Sequence, residues 1–241
     1  MCTVTYLPVG NASFILTSNR DEAPLRNAAE IVETVGADGK HLHFPKDPKA
    51  GGTWLCVADT GRIICLLNGA FKKHDRKPPY RRSRGLVLLD AFEYENIDRF
   101  FADYALKGIE PFTMVVCDSD RLFELRWDGN QKHLLQMDAD KPYIWSSATL
   151  YSEAFIKKRS QWFELWLDEH PDFRQKDIIA FHKYGGEGDS TNDFVMNRFN
   201  VVRTVSISSI EKKQSKIELL HLDLLNQKTS RCNIERVSSV H

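Results

Sequence analysis

Apolar and polar residues alternate with period two through much of the chain, which predicts β-strands, and this alternation gives way twice to helical spacing. Cys2 to Leu7 reads as a strand, Pro8-Val9-Gly10-Asn11 as a turn and Phe14 to Ser18 as the returning strand. Pro24 closes this region, and between Ala23 and Gly52 only a short piece near Glu30 to Val35 looks extended. Thr53 to Ala58 and Arg62 to Leu67 form a further hairpin about Asp59-Thr60-Gly61. A basic stretch from Gly69 to Arg84 follows without an apolar period of its own.

The period then lengthens. Leu86, Leu89, Phe92, Ile97, Phe100, Phe101 and Leu106 recur at near-helical intervals, broken around Tyr94 to Asn96, so two helices are predicted, the second capped by Asn96. Strands return at Thr113 to Cys117, Leu122 to Trp127, His133 to Met137 (through the Asp128-Gly129-Asn130 turn) and Tyr143 to Trp145. An amphipathic helix runs from about Ser152 to Leu167. Asp172 with Gln175 has the form of a capping box for another, which ends before Gly185-Gly186. Glu187 to Asn192 reads as a loop, and Val201 to Ile210 with Ile217 to Leu224 as the last hairpin. Hairpins interrupted by helix pairs define an α+β protein rather than a doubly wound parallel sheet.

Composition narrows the field. The 241 residues show no repeat, linker or low-complexity segment, and are read as one domain spanning 1–241. Lys plus Arg and Asp plus Glu balance at 33 each, so no overall field favours nucleic acid or membrane. No apolar run reaches the ~18 residues of a spanning helix. The N-terminus has neither a secretory nor a mitochondrial pattern. The five cysteines are odd in number and lack C-x-x-C spacing, which argues against a disulfide framework or a zinc site and for a cytoplasmic protein. His41 and His43 share a face if extended, with no third ligand evident, so no metal site is expected.

Candidate chemistry gathers near the start. If Met1 is removed, Cys2 presents a thiol and a free α-amine on one residue, the arrangement of N-terminal nucleophiles. The other reading is a small buried strand residue. The first hairpin carries Asn19-Arg20-Asp21-Glu22 back beside the chain start; a cation there lowers a thiol's pKa and a carboxylate holds an amine.

Met1-Cys2, Asn19-Arg20-Asp21-Glu22, Gly51-Gly52-Thr53-Trp54 and Leu66-Leu67-Asn68 together resemble the NRDE family, also called the transport and Golgi organisation family. That family in turn resembles the cysteine N-terminal nucleophile (Ntn) hydrolases. The resemblance implies a four-layer αββα sandwich of two antiparallel sheets. It implies Cys2 as nucleophile towards a non-peptide C–N amide, Asp21 holding its α-amine and Asn68 donating to the oxyanion. The acylase pattern Arg-Asn-x-Asp fits in two registers. One matches Asn19 and Asp21 and leaves Ser18 in the arginine's place; the other matches Arg20 and shortens its spacing to Asp21. In a regular strand Arg20 and Asp21 point to opposite faces. Asn68 before Gly69 is equally readable as a turn residue. Ser147 stands where the acylases carry a second Asn, and Arg203 falls near their late arginine.

The implied alternative is a binding protein without turnover, with haem or acyl-CoA-type lipids as ligands. No cofactor is required, haem being a candidate ligand, and a small anionic or amide molecule is the expected partner. For anion binding the candidates are Lys72, Lys73 and Arg76, in a segment with Lys77, Arg81, Arg82 and Arg84 against the single acid Asp75. The segment is either a lid over the site or a solvated loop.

Overall fold

The computed structural model describes residues 3–26, 30–214 and 216–236. The first hairpin forms as predicted, β1 (Thr3–Gly10) against β2 (Ser13–Glu22), but β2 runs on through Asn19-Arg20-Asp21-Glu22. The motif is therefore strand, not strand end. Its partner across the sheet is β12 (Val202–Lys213), whose register shifts between Thr204 and Ser206 opposite Asp21 and Arg20. With β10 (Tyr143–Ser146), β13 (Lys216–Asp223), β14 (Lys228–Glu235) and a short β11 (Asn197–Arg198), these strands make one antiparallel sheet in the order β10-β1-β2-β12-β13-β14.

The second sheet follows chain order. β3 (Ile31–Val35), β4 (His41–Pro45), β5 (Leu55–Ala58), β6 (Ile63–Asn68), β7 (Phe112–Asp118), β8 (Arg121–Trp127) and β9 (Lys132–Met137) pair successively, all antiparallel. The sequence pattern had not shown β4, β11 or β14.

Helices cover both outer faces. α1 (Arg84–Asp90) and α2 (Ile97–Asp103) pack Val87, Leu88, Ile97 and Phe100 on the second sheet's Cys56, Ile64, Met114 and Val116. Asn96 caps α2, accepting from the Arg99 amide at 2.9 Å. α3 (Glu153–Glu169) and α4 (Gln175–Tyr184) pack Phe163, Trp166, Ile178 and Phe181 on Leu7 and Ile15 of the first sheet. The capping box of α4 uses Arg174 and Asp177, whose carboxylate accepts from the Arg174 amide at 2.8 Å, and not Asp172 with Gln175. Between the sheets lie Val4, Phe14, Leu16, Leu55, Ile63, Leu67, Ile210 and Leu219. The result is a four-layer α+β sandwich. No helix among the described residues is long and apolar enough to cross a membrane.

Candidate active site

The period of β2 divides the Asn-Arg-Asp-Glu motif between two faces. Asn19 and Asp21 share the helix side with Thr17 and Ile15, whereas Arg20 and Glu22 share the inter-sheet side with Leu16 and line a cavity of about 360 Å³.

On the helix side Asn19 and Asp21 are held in a polar network. The Asn19 amide donates to the carbonyls of His182 (3.1 Å) and Phe194 (2.7 Å), and its oxygen faces His182 Nδ1. That arrangement makes Nδ1–H the donor and leaves His182 Nε2 to accept from the Thr5 hydroxyl at 2.8 Å. Burial, reinforced by nearby Arg159, pushes the His182 pKa down to about 3, so the imidazole is neutral. Asp21 accepts from Tyr151 Oη at 2.8 Å and Thr204 Oγ1 at 2.5 Å. The fully buried Arg159 lies 3.9 Å over the Tyr151 ring and donates to Thr3 Oγ1 and to the carbonyls of Asn192 and Asp193, which fixes the ring that reaches Asp21.

On the cavity side Arg20 is only 3% exposed. It lies 4.3 Å over the Trp54 ring, donates to Asp47 at 2.7 Å and also bonds the Arg26 carbonyl. Burial pulls the Arg20 pKa below its ordinary value, with Asp47 opposing. Asp47 itself is buried, yet the Ala50 amide and Arg20 hold its carboxyl below the usual range. The loop carrying Asp47 lies close against α1 because Gly52 and Gly85 have no side chains. A Cβ on Gly52 would stand 2.5 Å from the Gly85 carbonyl carbon.

Asn68 ends β6 on the same cavity, and among the described residues its carboxamide has no hydrogen-bond partner. Its backbone is held instead. Ser147, nearly sealed from solvent, donates to the Asn68 carbonyl at 2.8 Å and meets Thr149 Oγ1 at 3.0 Å. Gly69 adopts φ +82°, and a Cβ there would stand 2.8 Å from Thr149 Cγ2, so the turn after Asn68 requires glycine.

The basic segment enters the cavity through its later half. Arg76, Tyr80, Arg82 and Arg84 line it, while Lys72 and Lys73 are exposed and do not. Most of its arginines are already paired. Arg82 forms two bonds to Asp90, and Arg84 and Arg76 approach Glu110 at 3.4 and 3.3 Å. Arg20, Arg26, Arg76, Arg82 and Arg84 face Glu22, Asp47 and Glu110 across the lining, so once Asp90 neutralises Arg82 the positive excess is modest.

The structure thus brings Arg20, Asn68 and Arg76 to one cavity and places Asn19 and Asp21 directly behind it. Arg203 is half-buried opposite Glu22 on β12 and does not line the cavity. Cys2 lies outside the described residues. Sequence reasoning missed Asp47, Glu110, Tyr151 and His182 as partners. For Asp47 a signal existed: an aspartate before Pro48 and Gly51-Gly52 is a side-chain-capped turn, and Asp47 accepts from the Lys49 and Ala50 amides at 3.0 Å. Among the described residues no group of three or more His, Cys, Asp or Glu could hold a metal ion.

A family model described as "Transport and Golgi organisation 2" matches residues 1–222. The chain belongs to this family. Among solved structures, this family member is similar to the Caenorhabditis elegans ortholog of N-acylethanolamine-hydrolyzing acid amidase, at 12% identity and a TM-score of 0.60, covering 87% of this chain and 92% of that one. It is also similar to a variant of conjugated bile acid hydrolase from Clostridium perfringens, at 9% identity and a TM-score of 0.51, covering 100% and 99%. At such identities the likeness shows an Ntn-hydrolase fold and no more. No curated protein matches the sequence.

Proposed function

We propose that this family member is an N-terminal-cysteine hydrolase of a linear, non-peptide C–N amide. The observation that carries the reading is Asn68: a side-chain amide with no partner among the described residues, set on a rigid strand end and lining a cavity shared with Arg20. A donor held ready in that way suits a developing oxyanion. In the proposed reaction Met1 is removed and the Cys2 sulfur attacks the amide carbonyl. The α-amine takes the thiol proton and passes it to the departing amine as the C–N bond breaks. Water then attacks the thioester, which releases the acid and restores the thiol. Asp21 holds the α-ammonium, and Tyr151 and Thr204 hold Asp21. Arg20, on the cavity side, would supply the cation for the thiolate.

A second reading, an anion-binding protein without turnover, draws on the arginines of the lining. Haem and acyl-CoA-type lipids are its candidate ligands, and Ser147, which bonds the Asn68 backbone rather than offering a second amide, favours it. Intact mass of the mature chain separates the two readings. The hydrolase requires loss of Met1, a transient acyl adduct with N-acyl amides and amine release that Cys2→Ala abolishes. It also requires alkylation of Cys2 ahead of the buried Cys56, Cys65 and Cys117, whose pKa values burial raises. Retained Met1, or no released amine across the panel, would leave the binding reading.

A further inference from the structure

Pairing along the cavity lining leaves one positive charge, and the distances show where it sits. Arg20 bonds Asp47, Arg26 bonds Glu22 and Asp47, and Arg82 bonds Asp90, none of them at more than 3.0 Å. Arg76 and Arg84 share the remaining carboxylate, Glu110. Neither closes on it, since 3.3 and 3.4 Å are longer than a charge-assisted hydrogen bond. The Arg76 side chain is 74% exposed and lies in solvent, whereas that of Arg84 is 16% exposed. The uncompensated charge is therefore the mostly buried one. Burial pulls the Arg84 pKa below its ordinary value, with Glu110 opposing, so an anion in closer contact would stabilise the guanidinium.

Arg84 is also the cation fixed beside Asn68. Its Nη1 donates to the Pro111 carbonyl at 3.1 Å, and the same carbonyl accepts from the Gly69 amide at 3.0 Å. One oxygen thus ties the guanidinium to the turn directly after Asn68. The chain beyond Arg84 is held as closely, because a Cβ on Gly85 would stand 2.7 Å from the Thr53 carbonyl oxygen. The bond to Pro111 uses one of five guanidinium N–H groups, and among the described residues the guanidinium makes no other hydrogen bond. A planar fork with donors to offer, lining a cavity, matches a carboxylate in two-point contact. A second negative group on the ligand would meet Glu22, Asp47 or Glu110 on the same lining.

We propose that Arg84 determines specificity at this cavity and that the substrate is a monoanionic amide, its carbonyl oxygen on Asn68 and a single carboxylate, a few bonds away, on Arg84. The carboxylate can sit on either side of the C–N bond. On the amine side the substrate is an N-acyl amino acid, and water added across the bond releases a carboxylic acid and that amino acid. On the acyl side it is a dicarboxylic monoamide, and the products are a dicarboxylic acid and an amine. The place of the carbonyl rests on the hydrolase reading; the place of the carboxylate does not.

The test measures affinity by calorimetry on the full chain carrying Cys2→Ala, so that no outcome depends on turnover. N-butanoylglycine, charged on the amine side, and N-butylsuccinamate, charged on the acyl side, are each titrated beside a neutral isostere with a primary carboxamide for the carboxylate. At least one should bind about 10–100-fold tighter than its isostere, the effect of charge-assisted hydrogen bonds to one fork, and which one does so decides the side. Arg84→Gln should bring that preference close to unity. Arg84→Lys keeps the charge without the fork and should retain only part of it. N-butanoylaspartate, with a second carboxylate, should bind no tighter than N-butanoylglycine. No preference for either monoanion, a preference that survives Arg84→Gln or stays complete in Arg84→Lys, or tighter binding of the aspartate would each overturn the proposal. Amine release by wild type is scored separately. Preferred binding without release would sink the hydrolase and leave the carboxylate site standing, and release from charged and neutral amides without preference would do the reverse.

Discussion

Asn68 is the residue on which the functional reading turns, and its own prediction is specific. Replacing it with alanine removes one oxyanion donor while Ser147 still holds the backbone carbonyl, so the fold should be unaffected. For a substrate established by amine release, kcat should fall about 10²–10³-fold with KM little changed. Equal losses in binding and turnover would instead make Asn68 a substrate contact. This residue was legible in the sequence because its motif and the following Gly69 both point to a strand end. Arg20 was legible as a cation near the site, but its immediate surroundings were not. The Arg26 carbonyl is local, six residues on, but Asp47 and Trp54 meet Arg20 only through tertiary packing, and no local pattern encodes that juxtaposition.

At the scale of elements, the strand β2 explains how one four-residue motif serves two purposes. Its alternation sends Asn19 and Asp21 into a polar network under α3 and α4, and Arg20 and Glu22 into the cavity. The loop with Asp47 then locks the cavity side. Asp47→Ala would leave Arg20 buried without its carboxylate, with only the Arg26 carbonyl and the Trp54 ring beside it, a loss of about 3 kcal/mol by comparison with other broken buried pairs. Urea unfolding should show that loss, and the pair Asp47→Ala with Arg20→Met should recover part of it. A loss within experimental error for the single variant would mean that Arg20 is solvated through the cavity. Central strands were legible from their apolar runs: β5, β6 and β7 are buried on both faces, between the sheets and under the helices. β14 was not, because Lys228–Glu235 buries only Ile234 fully and, at the sheet edge, shows no period-two apolar signal. β4 was hidden by its brevity: Leu42 and Phe44 alternate with His41 and His43, but two apolar residues before Pro45 are too short a signal.

For the whole molecule, the network behind the cavity sets how stability depends on pH. His182, on α4, is sealed against the first sheet, and burial holds its pKa near 3; His221, bonded to Ser208 at 2.9 Å, is pushed by burial to about 4. Above about pH 6.5 these histidines are neutral in folded and unfolded chains alike and add no pH dependence. As pH falls below that value the unfolded chain gains protons that the folded protein refuses. Stability therefore drops by about 1.4 kcal/mol per pH unit for each histidine, until their folded pKa values are reached. Asp47, whose carboxyl is held low, adds its own loss only further down, as pH falls below the ordinary carboxylate range and through its folded pKa. Between pH 6 and 4.5 the histidines should dominate. Urea midpoints at pH 7, 6, 5 and 4.5 should decline steadily in the wild type. His182→Gln cannot titrate, so its curve should start lower and decline less steeply, by close to one proton. Parallel curves would show that the folded protein admits a proton at His182; His221→Asn offers the same comparison should the first variant fail to fold. Because His182 bonds Asn19, two residues from Asp21 on β2, the region behind the cavity is where acid should first loosen the fold. Any activity should then fall together with Asn19–His182 protection in hydrogen exchange, ahead of global unfolding.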